Sequence, residues 1–174
     1  MNFELTKFSG LILVNFFESK DNRGNFIKPW ITDQFTNVFG NIAEVYSTYS
    51  DGNVLRGLHY QIGENAQKKY VVCLSGLVED LALDLRLDSK TFGEIFRIKL
   101  EGMSGMGVII PEGFAHGIFA HKPSVVLTFC DKPYSPTDER GINWNSLKSL
   151  NDLNVKHVSD KDLNIPHFSE YYRL

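Results

Sequence analysis

Residues 77–87 read LVEDLALDLRL, a stretch in which apolar and polar side chains alternate with a period of two. Because successive side chains of a β-strand point to opposite faces, this pattern predicts a strand with a leucine face and a face that carries Asp80, Asp84 and Arg86. We expect the leucine face to belong to the core. The Asp/Arg face is either solvated or lines a polar cavity, and the stretch alone leaves both possibilities open.

Similar short β-rich runs lie on both sides of this stretch, separated by turns rich in glycine and asparagine. The runs are residues 11–17, 43–49, 70–74, 95–100, 107–110, 117–120 and 125–130, and residues 33–39 predict one short helix. Many short strands at this spacing are typical of an all-β sandwich or barrel. The 174 residues fit a single domain, 1–174, in which the stretch after Trp144 packs over the barrel as a C-terminal extension.

The composition argues against several classes of function. A net charge of −3, from 18 basic and 21 acidic residues, gives no electrostatic basis for binding nucleic acid. No apolar run reaches the roughly 18 residues of a membrane span, and the first residues lack a signal-peptide pattern. We therefore expect a cytoplasmic protein without a membrane partner. Cys73 and Cys130 are the two cysteines, and we expect free thiols packed in strands.

The densest polar segment is RGLHYQ at residues 56–61, followed by QKKY at residues 67–70. In a regular strand Arg56 and His59 would face opposite sides, but a bulge at Gly57 would turn both to one side. A cavity that holds His59 and Lys69 would combine a base that titrates near neutral pH with a cation able to stabilise an enolate oxygen. The alternative is a strand-end histidine bonded to the backbone and a solvated lysine.

A second segment, PEGFAHG at residues 111–117, places His116 at the start of a strand after a tight turn. Small neighbours would let the backbone approach a ligand, and the alternative is a hairpin with a structural histidine. We expect no metal, because the chain has no His-x-His pair and because His121 and His157 lack ligand spacing. The glycine-rich loops of nucleotide cofactors are also absent, so we expect no cofactor.

Taken together, these segments resemble the dTDP-4-dehydrorhamnose 3,5-epimerase family over about residues 21–166. The matching stretches are DNRGNF at 21–26, VLRGLHYQ at 54–61, AQKK at 66–69, DLR at 84–86 with Ser89 and TFG at 91–93, IPEGFAHG at 110–117, YSP at 134–136 with Glu139, and SDKD at 159–162. The order and spacing of the RGLH and PEGFAHG segments are the most specific part of this resemblance.

The resemblance implies a cupin-type jelly-roll barrel, a homodimer with exchanged strands, and an isomerase that uses neither metal nor cofactor. Its substrate would be a nucleotide-linked 4-keto-6-deoxy sugar of deoxysugar and polysaccharide biosynthesis, inverted at C3, C5 or both. His59 would remove a proton that the 4-keto group acidifies, Asp162 would orient the imidazole, and Lys69 would stabilise the enolate oxygen. The resemblance also assigns substrate binding to Arg23, Phe26, Arg56, Gln61, His116 and Glu139.

This chain departs from the family at the residue that returns the proton. Where family members carry an acidic tyrosine, in the strand before Tyr-Ser-Pro, this chain has Thr128, which we keep among the substrate-binding residues. Tyr46, in the predicted strand at residues 43–49, points into the cavity if it keeps the register of the corresponding family strand, and it is the candidate substitute acid. The change favours inversion at one carbon, or a different sugar. Two other functions stay open: a sugar-nucleotide 3,4-ketoisomerase and a non-catalytic sugar-nucleotide-binding homologue.

Overall fold

The computed structural model describes residues 1–173, so Leu174, the last residue of the predicted domain, lies outside the described residues. The strands are β1 (Asn2–Leu5), β2 (Ile12–Asn15), β3 (Phe17–Asp21), β4 (Gly24–Lys28), β5 (Glu44–Ser50), β6 (Val54–Gln61), β7 (Lys69–Ser75), β8 (Leu77–Asp84), β9 (Ile95–Glu101), β10 (Met106–Ile110), β11 (Phe114–Ala120), β12 (Ser124–Cys130) and β13 (Glu139–Gly141). The α-helices are α1 (Thr32–Phe35) and α2 (Asp160–Leu163), and 3₁₀ turns lie at Gly63–Asn65, Trp144–Ser146, Lys148–Leu150 and Phe168–Arg173.

The strands build two antiparallel sheets and a separate hairpin. The first sheet has the order β1-β2-β10-β7-β12-β5, the second has the order β13-β6-β11-β8-β9, and β3 pairs with β4 as a two-stranded ribbon. From β5 to β8, and again from β10 to β12, consecutive strands alternate between the two sheets, which is the winding of a jelly roll. The all-β prediction is confirmed. None of the helices in the described residues is long and apolar enough to cross a membrane.

Both faces of β8 are buried, which the alternating pattern alone did not predict. Val78 and Ala82 enter the apolar core shared by the two sheets. On the opposite face, Leu81 and Leu83 pack against a segment near the C-terminus that contributes Ile142, Leu147 and Leu150. The C-terminal residues therefore cover the outer face of the second sheet, as a C-terminal extension was expected to do.

The polar face of β8 lies inside the molecule, and hydrogen bonds compensate for its burial. Asp84 accepts hydrogen bonds from Arg86, Ser89 and Thr91. Burial alone would raise the pKa of Asp84, but these donors lower the pKa to about 2. Asp84 therefore holds the β8–β9 connection together, and Arg86 of this connection lies over the ring of Phe114, the first residue of β11, 4.5 Å from its centroid. Cys73 and Cys130 are free and buried, as expected.

Candidate active site

A bulge at Gly57 turns two predicted site residues toward one cavity. His116 pairs with His59 and Ile118 pairs with Arg56, so β6 carries one residue more than β11 between these pairs. Gly57 has a φ of 113°, and a Cβ at this position would lie 2.7 Å from the His116 carbonyl oxygen. Glycine is therefore required at the bulge, and Arg56 and His59 line the same cavity.

Two adjoining cavities meet at three of the residues predicted to be catalytic. The larger has a volume of about 540 Å³ and the smaller about 270 Å³, and Tyr46, His59 and Lys69 line both. The larger cavity is also lined by Arg56, His116, Thr128, Ser159, Lys161 and Asp162, and the smaller by Glu44, Gln61, Tyr134 and Glu139. These volumes are typical of small-molecule sites, and the junction places a base, a cation and a phenol around one space.

The α2 helix supplies the partner of His59. His59 Nε2 lies 2.8 Å from Asp162 Oδ1, and Asp162 Oδ2 accepts the Gly57 N–H at 2.9 Å. Ser159 caps the helix by accepting the Asp162 N–H. Burial alone would raise the pKa of Asp162, but the hydrogen bonds from His59 and Gly57 hold it below its usual range. An ionised Asp162 accepts the Nε2 proton, which leaves Nδ1 as the nitrogen able to act as a base.

Lys69 on β7 and Tyr46 on β5 line both cavities from the side of the first sheet. Lys69 Nζ makes no hydrogen bond or ion pair with another described residue, and burial lowers the pKa of its ammonium group. Tyr46 lies opposite Thr128 in the β5–β12 register. The Tyr46 side chain is partly exposed, but burial of its hydroxyl raises the pKa of Tyr46 to about 12. The phenol is therefore protonated at neutral pH and can donate.

His116 is held by a carboxylate that was absent from the predicted site residues. His116 Nε2 lies 2.8 Å from Asp80 Oδ2, and Asp80 is fully buried on the polar face of β8. Its other oxygen, Oδ1, has no hydrogen-bond partner among the described residues. The polar face of β8 is therefore neither solvated nor part of the cavity wall: it is buried, and Asp80 contacts the cavity only through His116.

Glu139 lies on the Nδ1 side of His59, opposite Asp162, and two side chains donate hydrogen bonds to it. Its Oε1 atom lies 3.9 Å from His59 Nδ1. Its Oε2 atom accepts hydrogen bonds from Lys161 Nζ at 2.5 Å and from the Tyr134 hydroxyl at 2.8 Å. Lys161 was not among the predicted site residues, although it lies within the matching SDKD stretch and lines the larger cavity.

The amide of Gln61 holds loops together at the edge of the smaller cavity. Its Nε2 atom donates to the carbonyl oxygens of Asn65 and Pro133, and its Oε1 atom accepts the Ser135 N–H. Both polar atoms therefore already have partners within the chain.

Two of the predicted site residues lie outside the cavities around His59. Arg23, in the β3–β4 turn, pairs with Asp21, and Arg23 and Phe26 line a separate cavity on the hairpin. The hairpin contributes no described residue to the cavities around His59. Nor do the described residues contain a group of three or more histidine, cysteine or acidic side chains that could hold a metal ion.

Comparison with known proteins gives consistent matches over most of the chain. A family model described as dTDP-4-dehydrorhamnose 3,5-epimerase matches residues 5–170. A protein of that name from Shigella flexneri is 38% identical over 158 residues, 85% of this chain and 87% of the relative. The crystal structure of the Sulfolobus tokodaii enzyme superposes with a TM-score of 0.88 at 34% identity, covering 98% of this chain and 97% of the other.

A further structure, of dTDP-6-deoxy-D-glucose-3,5-epimerase from Legionella pneumophila in complex with dTDP-4-keto-L-rhamnose, superposes with a TM-score of 0.87 at 29% identity. The superposition covers 95% of this chain and 92% of that one. The likeness to these structures confirms the prediction of a cupin-type jelly roll.

Proposed function

Because this chain belongs to the dTDP-4-dehydrorhamnose 3,5-epimerase family, we propose that it inverts C3, C5 or both of a dTDP-linked 4-keto-6-deoxy sugar. The chain is an isomerase, and its substrate is a nucleotide sugar. The observation that carries the proposal is the junction of two cavities at Tyr46, His59 and Lys69. A sugar ring at this junction would present one face to the imidazole and the other to the phenol, while its nucleotide extends along the larger cavity.

The first step is removal of a proton from a carbon beside the ketone. The carbonyl acidifies that proton, and His59 Nδ1 accepts it while Asp162, 2.8 Å from Nε2, stabilises the imidazolium. A positioned base of this kind contributes about 10² to 10⁴ in rate. Negative charge moves onto the 4-oxygen, where Lys69 donates a hydrogen bond, and loss of one such donor costs about 2.7–4 kcal/mol in known cases.

The second step returns a proton to the opposite face of the same carbon. Tyr46 supplies it, because its phenol is protonated and because it lines the same two cavities as His59. Thr128 lies beside Tyr46 and contacts the sugar, while the phenolate recovers its proton from water. Inversion follows because removal and return occur on different faces.

Arg56 and His116 line the larger cavity and bind the diphosphate of the substrate. Gln61, whose amide is bonded to neighbouring loops, shapes the smaller cavity, and Glu139 lines that cavity beside His59. Arg23 reaches the site from a second chain of a homodimer with exchanged strands. The support for this dimer is the exposed Arg23 on the projecting hairpin and the family resemblance.

We propose the cytoplasm as the compartment, because reduced cysteines are typical of cytoplasmic proteins. Cys73 and Cys130 are both free and buried.

Proton NMR in D₂O tests the proposal with dTDP-4-keto-6-deoxyglucose as the probe. We expect deuterium at C3, C5 or both, and the His59→Asn variant should lose at least about 100-fold of this exchange. His167→Asn is a matched control, because His167 is exposed and lines none of the three cavities around His59. Full exchange by His59→Asn would remove His59 from the role of base.

The same experiment separates the two other functions. A product whose carbonyl lies at C3 by carbon NMR would assign a ketoisomerase. Binding without any exchange would assign a non-catalytic homologue. Absence of exchange with dTDP-, CDP- and GDP-linked 4-keto sugars would overturn the proposal.

A further inference from the structure

We propose that Glu139 is a proton-relay residue, which carries the proton from His59 to solvent and so resets the base between turnovers. This inference rests on the proposed function, in which His59 takes a proton from one face and Tyr46 returns one to the other. After each inversion His59 holds an extra proton and Tyr46 lacks one. The enzyme must reverse both changes before it can bind and convert the next substrate.

Asp162 is unsuited to remove this proton. Its Oδ1 atom already accepts the Nε2 proton and its Oδ2 atom accepts the Gly57 N–H, so neither oxygen faces Nδ1. Asp162 is also buried, which separates it from bulk water. The proton that arrives from the substrate lies on Nδ1, on the opposite side of the ring.

Glu139 is the carboxylate on that side. Its Oε1 atom lies 3.9 Å from Nδ1, about 1 Å beyond a hydrogen bond. Once the imidazole is charged, the attraction between the two groups favours closing this gap. Burial alone would raise the pKa of Glu139, but the hydrogen bonds from Lys161 and Tyr134 lower it, so the carboxylate is ionised and ready to accept.

The route continues from Glu139 to water. The side chain of Glu139 is 16% exposed, and that of its partner Lys161 is 57% exposed. His59, Glu139 and Lys161 also line a third cavity of about 210 Å³, which gives solvent a place beside the pair. The proton passes from Nδ1 to Oε1 and then to water, which restores the carboxylate, and water returns a proton to the Tyr46 phenolate. No electrons are transferred.

Steady-state kinetics of the whole protein with dTDP-4-keto-6-deoxyglucose test the relay. A slow reset step limits kcat but leaves the first proton removal unchanged. We expect Glu139→Gln to lower kcat about tenfold or more, while kcat/KM stays within about threefold of wild type. Rising concentrations of imidazole or formate buffer should restore kcat, because a small base can replace the missing carboxylate. Wild type should show little dependence on buffer concentration.

Two further variants make the result specific. Glu139→Asp keeps the charge that pairs with Lys161 but lengthens the gap to His59. We expect it to lose less kcat than Glu139→Gln and to show the same rescue by buffer, and it serves as the test if Glu139→Gln does not fold. Glu64→Gln removes an exposed carboxylate that lines none of the three cavities around His59, so its kcat should not respond to buffer.

A fall of kcat/KM in parallel with kcat, without rescue by buffer, would overturn the relay and leave Glu139 as a substrate-binding residue. Absence of deuterium exchange in the wild-type protein would instead overturn the proposed function itself. The two failures are therefore distinguishable.

Discussion

The phenol of Tyr46 lies across a strand pair from Thr128, so the candidate acid reaches the cavity from β5 and not from β12. The two residues are in direct register. A tyrosine at position 46 instead of position 128 therefore places its phenol one strand spacing away, about 5 Å. A shift of this size changes which carbon of the sugar lies nearest to the acid. At the scale of residues, we therefore propose that this position decides between inversion at one carbon and at two.

We predict that Tyr46→Phe separates proton exchange from inversion. His59 would still remove and return a proton on its own face, so deuterium would enter the recovered substrate with retained configuration. Inversion should fall by about 100-fold or more, because the donor on the opposite face is lost. NMR of substrate and product in D₂O measures both quantities in one sample.

Thr128→Val is the matched control for this prediction, and it should reduce inversion by less than about tenfold. Full inversion by Tyr46→Phe would show that another group returns the proton.

Single residues of the site differ in how far the sequence could predict them. The glycine between Arg56 and His59 made a bulge that joins the arginine and the histidine one of the open possibilities, and the structure contains this bulge. Asp80 and Lys161 could not be found in this way, because their partners lie 36 and 22 residues away in the sequence. Such pairs depend on strand register and on the path of the C-terminal segment, which local patterns do not encode.

At the scale of elements, the bulge in β6 is the feature on which the site depends. Gly57 allows the backbone to pass within van der Waals contact of β11, and its N–H also binds Asp162. Gly57 therefore orients the side chains of Arg56 and His59 and also provides the N–H that binds the Asp162 carboxylate.

We predict that Gly57→Ala lowers both stability and activity. The new Cβ would lie 2.7 Å from the His116 carbonyl oxygen and 2.8 Å from Gly117 Cα, at a φ that alanine rarely adopts. Backbone strain of this kind costs about 1–3 kcal/mol, and the loss should appear in the free energy of unfolding in urea. Exchange activity of the folded variant should also fall, because the Gly57 N–H and His59 would no longer meet Asp162 together.

Gly52→Ala provides the control, since its nearest neighbour would lie at an ordinary 3.5 Å and its φ is not positive. Equal stability of the two variants would contradict the steric account of the bulge.

The elements that were predicted best are those with a regular alternation of side chains. Strand β8 followed from its period of two, although the burial of its polar face did not. The β3–β4 hairpin escaped prediction because every residue of β3 is exposed, so no apolar face marks it as a strand. An exposed ribbon is specified by its turn and by what it contacts, and a single chain does not reveal that contact.

At the scale of the whole molecule, the C-terminal segment closes the site around the second sheet. His157 forms a bridge with Val54 at the start of β6, and the chain then turns into α2, which carries Asp162. The position of the Asp162 carboxylate beside His59 thus depends on the docking of the segment that covers Leu81 and Leu83.

The β3–β4 hairpin carries exposed side chains whose chemistry suits a site in a second chain. Arg23 is 86% exposed and pairs with Asp21, while Phe17 and Phe26 pack on each other in the open. A guanidinium of this kind is suited to bind a diphosphate, and exposed aromatic rings are suited to an interface. The proposed dimer would place both next to the partner's cavity.

We predict that two inactive variants restore activity when they share a dimer. Arg23→Ala and His59→Asn should each be inactive alone. In a mixed dimer, the site with an intact His59 receives an intact Arg23 from the other chain. Random assortment of equal amounts, after co-expression or co-refolding, makes half of the dimers mixed with one native site each, so about a quarter of the wild-type activity should return. Activity that stays at the level of the separate variants would show that Arg23 acts within its own chain or that no such dimer forms, and light scattering of the wild-type protein would distinguish these two results.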